Sequence, residues 1–173
     1  MTSFVHRRQL RVEWGHCDPA GIVFNSRFFE FFDWNIWLMF EAALGVPPAE
    51  LRAVYGIMGL PLVDAKARFI KPAKFNDVVE IASQVTEFRR SSFDVAHWLH
   101  VDGELAAEGS ETRVWTACDP NDPLRLKAIP IPAAVTERFQ VRDRALAPER
   151  SASDLYGVPN VDNGHGRWHA SWN

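Results

Sequence analysis

The sequence predicts an α+β domain whose antiparallel sheet curls around one long central helix. Three observations carry this expectation. Residues 25–44 form a single helical run dense in aromatics, four strand-like runs follow it in succession, and Asp102-Gly103 between the last two is a strong two-residue hairpin signal.

Ahead of the helix, residues 4–13 alternate apolar and polar side chains in part, as in Leu10-Arg11-Val12-Glu13, and read as a first strand. Asn25 or Ser26 offers a helix cap, and the helix is expected to end near Leu44, with Gly45 after it and Pro47-Pro48 beyond. Phe28, Phe29, Phe31, Phe32, Trp34, Trp37, Leu38, Met39 and Phe40 take up most of its circumference, so other structure should wrap it. A loop is expected over 46–60. Strands follow near 61–70, 77–88, 93–101 and 105–118, divided by turn signals at Lys71-Pro72, Arg90-Ser91-Ser92 and Asp102-Gly103. A short helix follows Pro130-Ile131-Pro132, through about residue 141. From Arg142 onward Pro, Ser, Asp, Asn and Gly dominate, which divides the chain into one domain, 1–141, and an irregular tail, 142–173.

At 173 residues the chain is one domain long and can bury a substantial core. A net charge of -3 gives no general pull toward nucleic acid or acidic membranes, so neither is expected as a partner. No apolar run approaches the ~20 residues of a membrane span, and residues 1–8 lack the apolar region of a secretory signal. Cys17 and Cys118 are too few for a disulfide framework and have no CxxC partner for a metal. A cytoplasmic protein without a metal site is expected.

The stretch that carries chemistry is Glu13-Trp14-Gly15-His16-Cys17-Asp18-Pro19-Ala20-Gly21-Ile22-Val23-Phe24-Asn25. A strand-to-helix turn places Asp18 at an element end and leaves the first N–H groups of the helix unpaired, so an acid and an oxyanion-binding surface can face one pocket. The same residues also make an ordinary turn, with Asp18 capping its own backbone. A Cys/His catalytic pair at His16 and Cys17 is disfavoured, because adjacent residues on a strand point to opposite faces. His165 and His169 have the i, i+4 spacing of a helical metal site, but Gly164 and Gly166 oppose a helix there.

Residues of about 4–140 resemble the hotdog-fold acyl-CoA thioesterases, most closely the 4-hydroxybenzoyl-CoA thioesterase type, through four matches in order. These are Gly15-His16-Cys17-Asp18-Pro19-Ala20-Gly21-Ile22-Val23, then Asp33, then Gly56-Ile57-Met58-Gly59-Leu60-Pro61, then Glu87-Phe88-Arg89-Arg90-Ser91-Ser92-Phe93 with Leu126-Lys127-Ala128-Ile129 after it. The resemblance implies a five-stranded antiparallel sheet around the long helix, homo-oligomers (dimers that often form tetramers) with active sites at subunit interfaces, an acyl-CoA substrate and no cofactor.

By that resemblance Asp18 is the nucleophile or general base on the thioester carbonyl, and the N–H of Asn25 polarises it. Phe24 and Asn25 depart from the aromatic pair of the closest relatives. Arg89, Arg90, Ser91 and Ser92 are the CoA phosphate site, with Lys127 and Arg125 as second-rank candidates. Asp33, Gly59 and Leu60 belong to the acyl pocket, Asp33 at the position that contacts a ring hydroxyl in the relatives. Leu60 stands where those relatives carry a Thr near that hydroxyl, so only a modest preference for a 4-hydroxyl group is expected, and a large one would mean that another group replaces the Thr. The resulting expectation is hydrolysis of an aromatic acyl-CoA. The alternatives are a short-chain aliphatic acyl-CoA thioesterase on the same fold and a non-catalytic acyl-CoA binding protein.

Overall fold

The structure, a computed structural model, describes residues 2–141, so the irregular tail expected at 142–173 lies outside the described residues. In chain order the elements are β1 (Thr2–Ser3), β2 (Val5–Arg11), α1 (Asn25–Leu44), α2 (Leu51–Tyr55), β3 (Leu62–Phe69), β4 (Val78–Phe88), β5 (Ser92–Val101), β6 (Glu104–Val114), β7 (Thr116–Asp119), β8 (Asp122–Ala128), α3 (Ala133–Arg138) and β9 (Gln140–Val141). Five strands form one antiparallel sheet in the order β2-β4-β5-β6-β3, as expected. Asp102 and Gly103, with φ of 52° and 78°, make the tight turn between β5 and β6. The chain passes from one edge strand, β2, to the other, β3, by way of α1.

Three local expectations are corrected. Phe24, in an extended conformation, is the residue before the first helical turn, so neither Asn25 nor Ser26 is the cap. Residues 46–60 are not all loop: Pro48 opens a short turn that continues into α2, and Leu51 buries itself in the core. The last strand breaks at Trp115, which is buried and leaves the ladder. Its N–H donates to the Ser91 carbonyl at 2.8 Å and its own carbonyl accepts from Ile129, so the chain resumes as the separate β7–β8 hairpin.

The helix is wrapped on one side. Phe28, Phe31, Phe32, Ile36, Met39, Phe40 and Leu44 recur at helical spacing and are buried against the sheet, whereas Trp34 on the other side is 49% exposed. Within a single chain the circumference is therefore not closed.

A polar layer cuts the helix–sheet core into two apolar clusters. One gathers Ile36, Met39, Phe40, Val85, Phe93, Val95 and Trp115, the other Phe28, Phe31, Phe32, Ile81, Leu99 and Ala107. Between them Asn35 of α1 donates to Ser83 Oγ of β4 at 2.6 Å, and Ser83 Oγ lies 2.8 Å from His97 Nδ1 of β5. Ser83 thereby links the Asn35 amide of the helix to the His97 ring of the sheet. His6, Ser83, His97, Gly109 and Ala67 stand in one register row across all five strands. The Phe32 ring stacks on His97 at 4.6 Å, and a Cβ on Gly109 would come within 2.7 Å of that ring.

Gly109→Ala should therefore push Phe32 off His97 and cost about 1–3 kcal/mol in urea unfolding, the usual range for overpacking. A change inside about 0.5 kcal/mol would show that the ring moves freely.

Candidate active site

Asp18 sits at the tip of a short hairpin that feeds directly into α1. Cys17 and Val23 bridge, Asp18 N–H donates to the Ile22 carbonyl at 2.9 Å, and Phe24 N–H donates to the His16 carbonyl at 2.9 Å. Gly21 supplies the φ of +75° that closes the tip. A crossing segment pins the hairpin from outside: Val23 N–H donates to Ala73, and Ile22 bridges to Lys74. Ala20 N–H donates to Asp18 Oδ1 at 2.8 Å, which is the self-capping turn anticipated from the sequence. Among the described residues Oδ2 accepts no hydrogen bond, and the side chain is half-buried. The structural and chemical uses of Asp18 are thus compatible, one oxygen for each.

The neighbours of Asp18 point elsewhere. His16 accepts the Glu13 N–H on Nδ1 and packs edge-on against Phe31, and Cys17 Sγ lies 3.8 Å from the Glu13 carbonyl. Asn25 is exposed as the first residue of α1. In a 20-residue helix the first N–H groups have no intrahelical acceptor and carry the positive end of the helix dipole.

The three acyl-pocket candidates are brought together by a residue that sequence reasoning missed. Arg113 Nη1 lies 2.6 Å from Asp33 Oδ1 and donates to the Leu60 carbonyl at 3.2 Å, while Gly59 is bridged to Thr116 two residues past the end of β6. The Leu60 side chain itself is buried in the core. On its other edge Arg113 donates through Nε and Nη2 to Glu111 Oε2 at 2.8 and 2.7 Å, and Glu111 Oε2 lies 4.0 Å from His97 Nε2. A signal for this network was present. Residues 107, 109, 111, 113 and 115 share the inward phase of β6 and the residue after it, and two of them are charged.

At the CoA-phosphate candidates the structure separates Arg89 from Arg90. Arg89 is occupied within the chain: its guanidinium donates to both Asp94 oxygens and to Glu87, and Nε donates to Ser92 Oγ at 3.0 Å. Those bonds hold the Asp94 carboxyl well down, at about 2. Arg90 is exposed, and its carbonyl accepts from Ile131 N–H at 2.8 Å while the Ser91 carbonyl accepts from Trp115. These bonds bring Arg90 and Ser91 to the strand that ends at Ala128, on which Lys127 and Arg125 are exposed.

Two clefts among the described residues, of about 390 and 320 Å³, are lined by neither Asp18 nor Asp33. Both carboxylates are half-buried. Among the described residues the edge strand β3 pairs on one side only, and Leu62, Val63, Phe69 and Ile70 along it are exposed. Among the described residues no cluster of side chains could hold a metal ion, and no helix is long and apolar enough to cross a membrane.

Residues 12–139 match the model of the thioesterase-like superfamily. The chain belongs to that superfamily. It is 36% identical over 135 residues to 4-hydroxybenzoyl-CoA thioesterase of Pseudomonas sp. (strain CBS-3), covering 75% of this chain and 93% of that one. Among solved structures it superposes on a 4-hydroxybenzoyl-CoA thioesterase in complex with 4-hydroxybenzoyl-CoA, an Asp-to-Asn mutant, with a TM-score of 0.71, 33% identity and coverage of 78% and 98%. A gentisyl-coenzyme A thioesterase gives a TM-score of 0.64 at 32% identity, covering 76% and 99%. The fold is the hotdog fold of these enzymes.

The buried histidines make stability depend on acid. Burial, with a smaller push from Arg113, lowers His97 to about 3, and burial with Arg8 lowers His6 to about 4. Below pH 6.5 the unfolded chain takes up protons that the folded chain refuses, so stability falls as pH drops from 6.5 toward 3. Each such histidine contributes about 1.4 kcal/mol per pH unit. His97→Gln should flatten the stability-versus-pH curve between pH 6.5 and 4 by one proton's worth; curves parallel to the parent's would mean that His97 is protonated in the fold.

Proposed function

We infer that this chain hydrolyses acyl-CoA thioesters and propose that its acyl group is aromatic, with Asp18 as the reacting carboxylate. The observation that carries this is the hairpin itself, which leads straight into a long helix and leaves Asp18 Oδ2 and the N–H groups of Asn25 and Ser26 without a hydrogen-bond partner among the described residues. A carboxylate ionised at neutral pH can attack the thioester carbon, expelling CoA thiolate and forming a mixed anhydride that water opens. As a general base it would instead take a proton from an attacking water. In either route the N–H of Asn25 stabilises the oxyanion.

The aromatic assignment is supported by the helix. Asn25, Phe29 and Asp33 fall on one i, i+4, i+8 row, with the half-buried Phe29 between the carbonyl end and Asp33. Eight residues of rise separate Asn25 from Asp33 by about 12 Å, and the Asp33 side chain leans back toward the helix start. That interval suits one substituted ring with a hydrogen bond at each end. Gly59 and Leu60 close the Asp33 end. Arg90, with Ser91 and Lys127, serves the CoA phosphates, and Ser92 supports Arg89, which braces the turn. Pairing of β3 with a second copy would supply the missing wall of the site and cover the exposed apolar edge, making a homo-oligomer. Free cysteines and the absence of a spanning helix among the described residues favour a cytoplasmic location.

Thiol release should be measured over a panel of aroyl-, arylacetyl- and straight-chain acyl-CoAs. Aroyl-CoAs are expected to give the highest kcat/KM, and a clear preference for short straight chains would transfer the assignment to the aliphatic alternative. In the same assay Asp18→Asn should lose about 10²–10⁴ in kcat with little change in binding, and near-parental turnover would remove Asp18 from the mechanism. Arg90→Ala should raise KM and weaken its salt dependence, whereas Arg89→Ala should act mainly on thermal stability. The reverse pattern would exchange their roles.

A further inference from the structure

Asp33 is not a lone carboxylate. Its Oδ1 is held by Arg113 at 2.6 Å, its side chain is still 45% exposed, and Oδ2 accepts no hydrogen bond among the described residues. Behind Arg113 stands Glu111, 2% exposed, with two guanidinium N–H groups on its Oε2. One cation therefore serves two carboxylates. The buried one takes two of its donors, and the outer one keeps a second oxygen whose direction is fixed by its sibling.

We propose that Glu111 and Arg113 are positioning residues for acyl recognition, holding the Asp33 carboxylate with Oδ2 outward so that this end of the pocket accepts a hydroxyl donor and rejects an anionic substituent. The proposal rests on the reading that Asp33 lines the acyl pocket. It revises the modest hydroxyl preference expected from Leu60. The Arg113-backed Asp33 stands in for the absent Thr, and the Leu60 carbonyl is used to hold Arg113 in place.

The test compares kcat/KM for benzoyl-, 4-hydroxybenzoyl- and 4-carboxybenzoyl-CoA in the full-length parent, Glu111→Gln, Arg113→Lys and Asp33→Asn. Ratios between substrates are internal to each protein, so partial unfolding, which scales all three rates together, leaves them unmoved. The parent should favour the hydroxyl over the carboxyl substituent by about tenfold or more, the range of a hydrogen bond to a charged group. Glu111→Gln leaves Arg113 to Asp33 alone, and Arg113→Lys loses the Nε and Nη2 donors that anchor the guanidinium to Glu111 while Nη1 meets Asp33. Both should narrow that ratio by about tenfold, with the carboxyl substrate gaining on benzoyl-CoA. Ratios that move in Asp33→Asn but not in Glu111→Gln and Arg113→Lys overturn the proposal and leave the acyl-pocket reading standing. Ratios that move in none of the three, or a parent that does not discriminate, overturn both.

Discussion

A buried carboxylate–guanidinium pair on the inner face of β6 constrains the rest of the domain. Burying Glu111 and Arg113 strips both of water, and removing either partner would leave an uncompensated charge in the core. Three neighbouring elements converge on the pair. Leu60 turns its carbonyl to Arg113, Asp33 reaches across from α1, and His97 directs Nε2 toward Glu111. Ser83 and Asn35 then fix the His97 ring from behind, and Phe32 lies flat on it only because Gly109 has no side chain. A helix that packed by apolar contacts alone could slide or turn on the sheet. This one is keyed in register by Asn35 and Asp33, at the price of a core divided in two.

The proposed chemistry sits at the ends of elements, where backbone groups are unpaired. Asp18 belongs to a hairpin that ends at Phe24, the residue before α1, so its position relative to the helix N-terminus is set by three backbone hydrogen bonds and two bridges rather than by side-chain packing. Such a site is exact in geometry but shallow. The sheet covers one face of α1 only, and among the described residues the edge strand β3 leaves a row of unpaired backbone groups beside exposed Leu62, Val63, Phe69 and Ile70.

Most of the fold was legible because its signals are local. Helix length, the five sheet strands and the Asp102-Gly103 turn follow from periodicity and turn chemistry over a few residues. What escaped depends on partners distant in sequence. Trp115 reads as one more strand residue in Thr112-Arg113-Val114-Trp115-Thr116 until the core claims it. Arg89 and Arg90 are indistinguishable as a pair of basic turn residues, and only strand pairing, which sets Asp94 beside Arg89, separates them. Likewise Asp33 was visible as a costly carboxylate among aromatics, but the partner that makes it tolerable lies 80 residues away on β6.

The same helix bears both ends of the proposed reaction, and this favours a rigid acyl group. The start of α1 is tied to the Asp18 hairpin by the Phe24-to-His16 hydrogen bond, and its middle is tied to β6 by Asp33 and Arg113. With both points fixed, the interval between the oxyanion donors and Asp33 cannot adapt to the substrate. A flexible chain would have to freeze several torsions to bridge it, at about 0.5–1.5 kcal/mol for each immobilised group, as is typical of ordered side chains. A ring arrives with its length already set, so more of its binding energy remains to hold the thioester against Asp18.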